Sequence, residues 1–225
     1  MKTLVKIIAT IAVLGGGFFA YQSVNAADIS GNAGVSFTDT RTFRGVKQAD
    51  DTLGASVALE TALASKVSLG VSLDSLSALE AGQTNELRTG VSLGYQLSHL
   101  IGLSVGYTNY DYQSATSFDE IGLGASFETL LNPSVLYAID SDNDSDVAEL
   151  SVGHSIALSE QFGLDLDGSW GNVDAAADYT YYEIGATVTT EVAGADAFAG
   201  VSLVDNDNAG SDSETVFSVG ISLNF

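Results

Sequence analysis

The chain has 225 residues, of which 29 are Asp or Glu and only 7 are Lys or Arg, so its formal net charge is −22 at pH 7. A chain this acidic argues against nucleic acid as a partner, because the phosphate backbone is itself anionic. The absence of cysteine excludes disulfides and thiolate metal sites, and the regular recurrence of apolar residues argues against a disordered chain.

The first 26 residues have the pattern of a secretory signal peptide. Lys2 and Lys6 provide the charged start, residues 7–20 are apolar, and residues 24–26 (Val-Asn-Ala) form a small-x-small cleavage site. A membrane anchor is the alternative, but the apolar run is short and a cleavage site follows it. We therefore expect an exported protein whose mature part, residues 27–225, forms one domain.

The mature region divides into about twelve segments in which every second residue is apolar, the period of a β-strand. In chain order these are residues 29–37, 53–63, 67–73, 87–97, 101–109, 121–129, 135–139, 150–158, 162–170, 182–188, 197–203 and 215–225. No segment after the signal peptide is long and apolar enough for a membrane helix. The segments around 135–139 and 197–203 have the weakest patterns.

The residues between the apolar positions are mostly serine and glycine, as in Ser68, Gly70 and Ser72. A soluble sandwich would also alternate, but its polar face would favour Lys, Glu and Arg. A membrane barrel explains both sets of residues, because its apolar positions face the lipid and its serine and glycine positions face a polar lumen. The pattern therefore predicts an all-β fold, a transmembrane antiparallel up-and-down β-barrel of about 12 strands.

The connections between the segments alternate in length, as they do in outer-membrane barrels, where the short turns are periplasmic. The short set is residues 64–65, 98–100, 130–133, 159–161 and 190–193, and the long set is residues 38–52, 74–86, 110–118, 140–146, 171–178 and 205–214. An even number of strands places both termini on the periplasmic side. The expected location is the outer membrane of a Gram-negative bacterium, in contact with its lipid and lipopolysaccharide.

Aromatic residues of the apolar rows fall near the ends of the segments, where two girdles are expected at the lipid–water boundaries. Those near periplasmic ends are Tyr95, Phe127, Phe162 and Phe225. Those near outer ends are Phe37, Tyr107, Trp170, Tyr182 and Phe217.

The last segment resembles the closing strand of bacterial outer-membrane barrels. It alternates strictly from Phe217 and ends on Phe225. The resemblance implies that Phe225 is part of the signal read by the barrel-assembly machinery.

A short motif after the first segment, Phe43-Arg44-Gly45-Val46, resembles the opening of the TorF-like porin family. The family pattern also has an upstream aromatic that is absent here, and Lys47 stands where a small hydroxyl residue is expected. The resemblance implies an outer-membrane porin of unestablished substrate and transfers no catalytic residues.

Arg44 admits two interpretations. It could fold inward with its loop and line a constriction, or it could pair with loop acids and pin the first loop, with Gly45 taking a backbone angle that other residues avoid.

Seven further charged residues fall in the polar rows, where they are expected to line the pore together with Arg44. They are Glu60, Arg88, Glu128, Glu149, Asp165, Asp167 and Glu183. Because acids outnumber the single arginine of this set, a wet channel here should favour cations. The alternative is that these groups pair with one another or meet solvent near strand ends.

The segment with Asp140, Asp142, Asp144 and Asp146 has the alternation of a calcium loop, but Ser145 replaces the turn glycine and Ser151 replaces the bidentate Glu. The default is therefore a solvated acidic loop. No cofactor is expected beyond weak Ca²⁺ or Mg²⁺ at such loops, where these ions could bridge to lipopolysaccharide phosphates.

The two histidines do not predict an enzyme. His154 lies in an apolar row, as the histidine of an outer-membrane phospholipase would, but no serine lies in the neighbouring apolar rows, and His99 lies in a short turn. The predicted function is a porin for passive diffusion of small hydrophilic solutes or ions, preferring cations, with an oligomer compatible with the sequence. The alternative is a non-conducting structural or surface-interaction barrel that acts through acidic extracellular loops.

Overall fold

A computed structural model of the chain describes residues 29–208 and 210–225. The predicted signal peptide lies outside these described residues. The twelve strands are β1 (Ile29–Phe43), β2 (Val46–Ala64), β3 (Val67–Ala78), β4 (Glu86–Ser98), β5 (Ile101–Tyr112), β6 (Phe118–Phe127), β7 (Ser134–Asp140), β8 (Ser145–Ala157), β9 (Phe162–Asp174), β10 (Tyr179–Val192), β11 (Ala195–Asn206) and β12 (Glu214–Asn224). No helix in the described part of the chain is long and apolar enough to cross a membrane.

The strands form one closed antiparallel barrel in which each strand pairs with its neighbours in sequence and β12 pairs with β1. At this seam Val35 lies opposite Ile221. The amide of Gly31 donates to the carbonyl of Phe225 at 2.7 Å, and the amide of Phe225 donates back to Gly31 at 2.9 Å. The predicted twelve-stranded meander is confirmed, including the two segments with the weakest patterns.

The side-chain alternation also matches the prediction. Val35, Val57, Leu93, Ile184 and Phe217 face outward and are between 43% and 61% exposed. The intervening serine and glycine positions face the interior of the barrel. The outside of the barrel is therefore an apolar surface, and both predicted sets of aromatic residues belong to it.

The two ends of the barrel differ less in connection length than the sequence predicts. At the inner end, where both termini of the described barrel lie, the connections are residues 65–66, 99–100, 128–133, 158–161 and 193–194. At the outer end they are residues 44–45, 79–85, 113–117, 141–144, 175–178 and 207–213. The predicted long loops are too long, because polar and acidic residues continue the strand ladder beyond the apolar rows.

The first hairpin leaves the barrel wall. The pairing of β1 with β12 ends at Thr38, and the pairing of β2 with β3 ends at Thr52. Residues 40–50, called the arm below, pair only with each other. The bulge between Arg41 and Thr42 and the positive φ of Asp51 (38°) turn the arm into the barrel, since both change the direction of the strands.

Most of the buried side chains lie at the outer end of the lumen, around the arm. The apolar members are Ala49, Leu76, Tyr110, Ala138, Val147, Val173, Tyr181, Val204 and Val216. The packed core of this barrel thus lies inside its outer mouth.

Candidate functional site

The tip of the arm is a two-residue turn formed by Arg44 and Gly45. Both residues have positive φ, 50° and 79°, as a type I′ hairpin turn requires. A Cβ added to Gly45 would lie 2.4 Å from Cβ of Tyr181 and 3.1 Å from Cβ of Asn206. The tip therefore sits against β10 and β11. Gly45 has the positive φ that the sequence predicts, and the close approach to Tyr181 is a second reason for glycine there.

Three arginines meet at the outer mouth, and they are the only arginines of the chain. Nη1 of Arg44 lies 2.6 Å from a carboxylate oxygen of Glu120 on β6, and Nη1 of Arg41 lies 3.5 Å from Glu86 on β4. Arg88, also on β4, is paired with the same Glu86. Two carboxylates thus pair with three guanidinium groups, and none of the five side chains is more than 11% exposed.

Aromatic rings fill the space between these ion pairs. The ring of Phe43 meets that of Tyr110 edge-on with centroids 5.5 Å apart, and Tyr110 stacks on Phe118 at 4.5 Å. The guanidinium carbons of Arg44 and Arg88 lie 4.6 and 5.3 Å from the centroid of Phe43. Each cation over a ring face is attracted by the ring quadrupole, so Phe43 joins the arm to β4, β5 and β6.

On the opposite side of the mouth, the arm meets an apolar cluster of Ala138, Val147, Val173 and Tyr181 from β7 to β10. The Tyr181 ring covers Gly171, where an added Cβ would lie 2.3 Å from the ring. The Tyr181 hydroxyl donates to Glu149. Arg44 is therefore inside the barrel and paired with a carboxylate of a strand instead of the predicted loop acids.

Below the arm, acidic side chains line one wall of the lumen on three adjacent strands. They are Glu149 on β8, Asp165 and Asp167 on β9, and Glu183 on β10. We call these four residues the acidic wall. No Lys or Arg follows Arg88 in the sequence, so none of these strands carries a lysine or arginine.

Neutral groups hold the acidic wall in place. Ser151 Oγ donates to Glu149 at 2.9 Å, and Ser155 Oγ donates to Asp165 at 2.5 Å. The carboxylate of Asp167 lies over Gly185, where an added Cβ would be 2.5 Å from its Oδ2. The wall therefore consists of four acidic side chains with no lysine or arginine on their own strands.

Of the other residues predicted to line the pore, Arg88 and Glu60 face inward, Arg88 buried in the outer mouth and Glu60 half-buried on β2. Glu128 is different, because β6 ends at Phe127 and Glu128 lies exposed in the following connection. Its amide donates to the carbonyl of Leu100 at 2.9 Å. The segment predicted for Glu128, residues 121–129, therefore runs two residues beyond the observed end of β6.

The acids of the predicted calcium loop do not converge. Asp140 accepts hydrogen bonds from both the amide and the side chain of Asn143, Asp142 accepts from the amide of Asp119, and Asp146 accepts from Tyr137. Asp144 occupies the turn with φ of 51°. Within residues 29–208 and 210–225, no group of three or more His, Asp or Glu side chains has the geometry of a metal site.

The two histidines occupy the inner end of the barrel. His154 faces outward on β8 beside Leu166, and its Nδ1 lies 2.8 Å from the carbonyl oxygen of Leu130. This contact ties β8 to the connection between β6 and β7. His99 is exposed in the turn between β4 and β5.

Sequence reasoning missed most of the residues that hold the arm. Arg41 was not assigned to the lumen, because strict alternation from Asp39 places it outside. Glu86 falls in the predicted loop 74–86, and Glu120 falls between the predicted loop 110–118 and the segment 121–129, so neither is predicted to face the lumen. The signal available was the scarcity of arginine, since a chain with three arginines concentrates them where they have a specific role.

No family model matches the chain, and no curated protein sequence matches it. Its fold is similar to solved structures, including the KdgM porin (10% identity, TM-score 0.57, 87% of this chain and 99% of that chain). The NanC porin gives 11% identity and TM-score 0.56 over 85% and 98% of the two chains. The COG4313 outer membrane channel from Pseudomonas putida F1 gives 12% and 0.56 over 91% and 98%.

At these identities the likeness shows the fold alone, a closed barrel of the kind found in outer-membrane proteins. The LpxR structure from Salmonella typhimurium is also similar, with 9% identity and a TM-score of 0.52 over 85% of this chain. The resemblance to the TorF-like family remains a prediction from the short motif around Arg44.

Proposed function

We propose that this chain is an outer-membrane channel that lets small hydrophilic solutes or ions diffuse passively, with a preference for cations. The observation that carries the preference is the acidic wall, where four carboxylates face the lumen on strands without Lys or Arg. A negative lumen concentrates cations and repels anions. The serine and glycine rows of the other strands leave space that larger side chains would occupy.

The fold supports a place in the outer membrane with both ends of the described barrel on the periplasmic side. The outer face of the barrel is apolar and so suits contact with lipid. The pairing of β12 with β1 closes the barrel, so that its sheet has no edge strand. Among the similar structures, KdgM and NanC are named as porins. Lipid and lipopolysaccharide are the surroundings this surface would meet, and the assembly machinery would read Phe225.

The test is single-channel recording of the refolded mature protein in a planar bilayer with a KCl gradient. Steady conductance with a reversal potential shifted toward the equilibrium potential of K⁺ supports the proposal. Conductance with anion preference overturns the role of the acidic wall. The folding of the protein is verified by heat-modifiable gel migration. If neither the folded wild type nor a folded variant without the arm conducts, the result favours the non-conducting barrel.

A further inference from the structure

The arm is the part of the first hairpin that does not continue the backbone hydrogen bonding of the barrel wall. At its base, the ladder toward β12 ends with Thr38 and is extended by one side-chain bond, in which Asp39 accepts the amide of Phe217 at 2.8 Å. On the other side, the carbonyl of Asp51 accepts the amide of Leu79 at 2.8 Å. Beyond these two residues, the arm has no backbone ladder to the wall.

What holds the arm inside is a set of contacts in which at least one partner is a side chain. They are the ion pairs Arg44–Glu120, Arg41–Glu86 and Lys47–Glu214, the hydrogen bonds from Arg41 to Thr84, from Asn206 to Gly45 and from the amide of Asp50 to Gln83, and the ring contacts of Phe43. An isolated two-stranded hairpin is only marginally stable in water. Its position across the mouth therefore depends on these contacts rather than on the continuous sheet.

The ion pairs reach widely separated strands. Glu120 is on β6, which is five strands from β1 around the barrel, and Asn206 is on β11, two strands from β1 on the other side. The arm consequently spans the mouth instead of following one wall. Below it, inward positions of β4 to β6 are small, among them Gly90, Ser92, Gly106, Gly122 and Gly124. The bulk that fills the outer mouth is the arm together with the aromatic and aliphatic side chains packed on it.

We propose that the arm is a hinged gate that limits which solutes pass the outer mouth, with Asp39 and Asp51 at its hinge and the Arg44–Glu120 pair as its latch. This inference rests on the proposed channel function and adds the element that sets its open size. Release of the latch lets the arm swing away from β6 while the rest of the barrel, from Thr38 and Thr52 downward, keeps its ladder.

The direct test removes the arm from the full barrel. Residues 41–49 are replaced by Asn-Gly, which joins Thr40 to Asp50 through a two-residue turn, since these two residues are already paired. The second variant is Glu120→Gln, which keeps the shape of the side chain and removes its charge. Asp174→Asn, at an exposed carboxylate at the outer end of β9, is the matched control.

If the arm is the gate, the arm-deleted barrel conducts severalfold more than the wild type, and Glu120→Gln opens more often while Asp174→Asn does not. Arm-deleted and wild-type barrels with equal, measurable conductance overturn the gate but leave the channel. Silence of both barrels, each shown to be folded, overturns the channel and the gate together. An open deletion variant with an unchanged Glu120→Gln overturns the latch.

A second measurement covers the case in which the deletion variant does not fold. Thr42 is 2% exposed in the arm, and the chain has no cysteine, so Thr42→Cys gives a single reporter thiol. A gate predicts slow labelling of this thiol that Glu120→Gln accelerates. Labelling that is equally slow in both backgrounds overturns the latch as the element that controls opening.

Discussion

The guanidinium of Arg44 and the carboxylate of Glu120 approach to 2.6 Å across the lumen, one from the first hairpin and the other from β6. Their side chains are only 11% and 5% exposed. Removing one partner of such a pair leaves a buried charge without compensation, whereas removing both is far less costly. The pair is therefore a contact through which a single substitution should affect the arm strongly.

Glu120→Gln should increase the fraction of molecules in which the arm is detached. The expected cost to the docked state is about 3 kcal/mol, the lower range for breaking a buried ion pair, which corresponds to a roughly hundredfold change in the opening equilibrium. The measurement is the labelling rate of Thr42→Cys in barrels refolded in detergent. Adding Arg44→Met to Glu120→Gln should restore slow labelling in part, because neither charge of this pair is then left without its partner, and a double variant as fast as the single one contradicts this account.

Gly45→Ala should destabilise the arm for two reasons. Alanine at φ of 79° costs about 1 to 2 kcal/mol, and its Cβ would also meet Tyr181 at 2.4 Å. At Gly194, in the turn between β10 and β11 at the inner end, φ is 87° and an added Cβ has nothing within 4 Å, so Gly194→Ala has a similar backbone cost at a site remote from the arm. In the labelling assay, Gly45→Ala should release the arm and Gly194→Ala should not.

The fold could be predicted almost entirely from the sequence, because in each strand the alternation of apolar and small polar residues shows which face is apolar. Val35, Leu93 and Ile221 repeat the same period of two, and a closed barrel is the arrangement that exposes every apolar row to lipid while leaving no free edge. The strand ends were less predictable. Thr40 and Asp50 continue a ladder although the apolar pattern has already ended.

The site could be predicted only in part. The acidic wall follows from the alternation of inward and outward side chains along a strand. The sequence therefore predicts Asp165, Asp167 and Glu183 on the inward face, where the structure has them. The arm does not follow from this alternation, because the hairpin bends into the lumen and the consecutive residues Thr40, Arg41 and Thr42, on both of its faces, are buried. The bend depends on contacts with residues far away in the chain, such as Glu86. A period of two describes a single strand and holds no information about where a hairpin leaves the sheet.

Neutralising the acidic wall should reduce the preference for cations. Asp167→Asn with Glu183→Gln removes two of the four acidic side chains of the wall while preserving side-chain shape, so the reversal potential in a KCl gradient should move toward zero. Glu128→Gln is the matched control, because Glu128 is exposed in the connection after β6. An equal shift from both substitutions would indicate surface charge rather than the lumen as the source of selectivity.

Asp207, in the connection after β11, should titrate below the ordinary range for aspartate. Its carboxylate accepts the Thr180 amide at 2.6 Å and the Thr180 hydroxyl at 2.9 Å, and these hydrogen bonds lower its pKa by stabilising the charged form. A lowered pKa adds stability above the unfolded pKa of about 4, which is lost as the pH falls through the folded value. Carboxyl NMR titration checks this, and Thr180→Val, which removes only the hydroxyl, should raise the pKa of Asp207 part of the way.

The terminal Phe225 has two separable contributions. Its backbone forms both hydrogen bonds to Gly31 at the seam, and its ring covers Gly31, where an added Cβ would lie 2.5 Å from Cε2. Phe225→Ala keeps the backbone pair and loses the ring, whereas deletion of Phe225 loses both. Each hydrogen bond contributes about 1 kcal/mol, so deletion should lower the temperature at which purified, refolded barrel loses its heat-modifiable migration more than Phe225→Ala does.

In cells the difference between Phe225→Ala and the deletion of Phe225 should disappear, because recognition by the assembly machinery would depend on the terminal aromatic ring. Phe225→Ala and the deletion should then reduce the amount of folded barrel in the outer membrane to similar extents, although their stabilities after refolding differ. Phe225→Tyr keeps an aromatic end and should assemble normally. If assembly in cells instead follows the order of stability seen in detergent, the ring acts only through the seam, and Phe225 is not a signal.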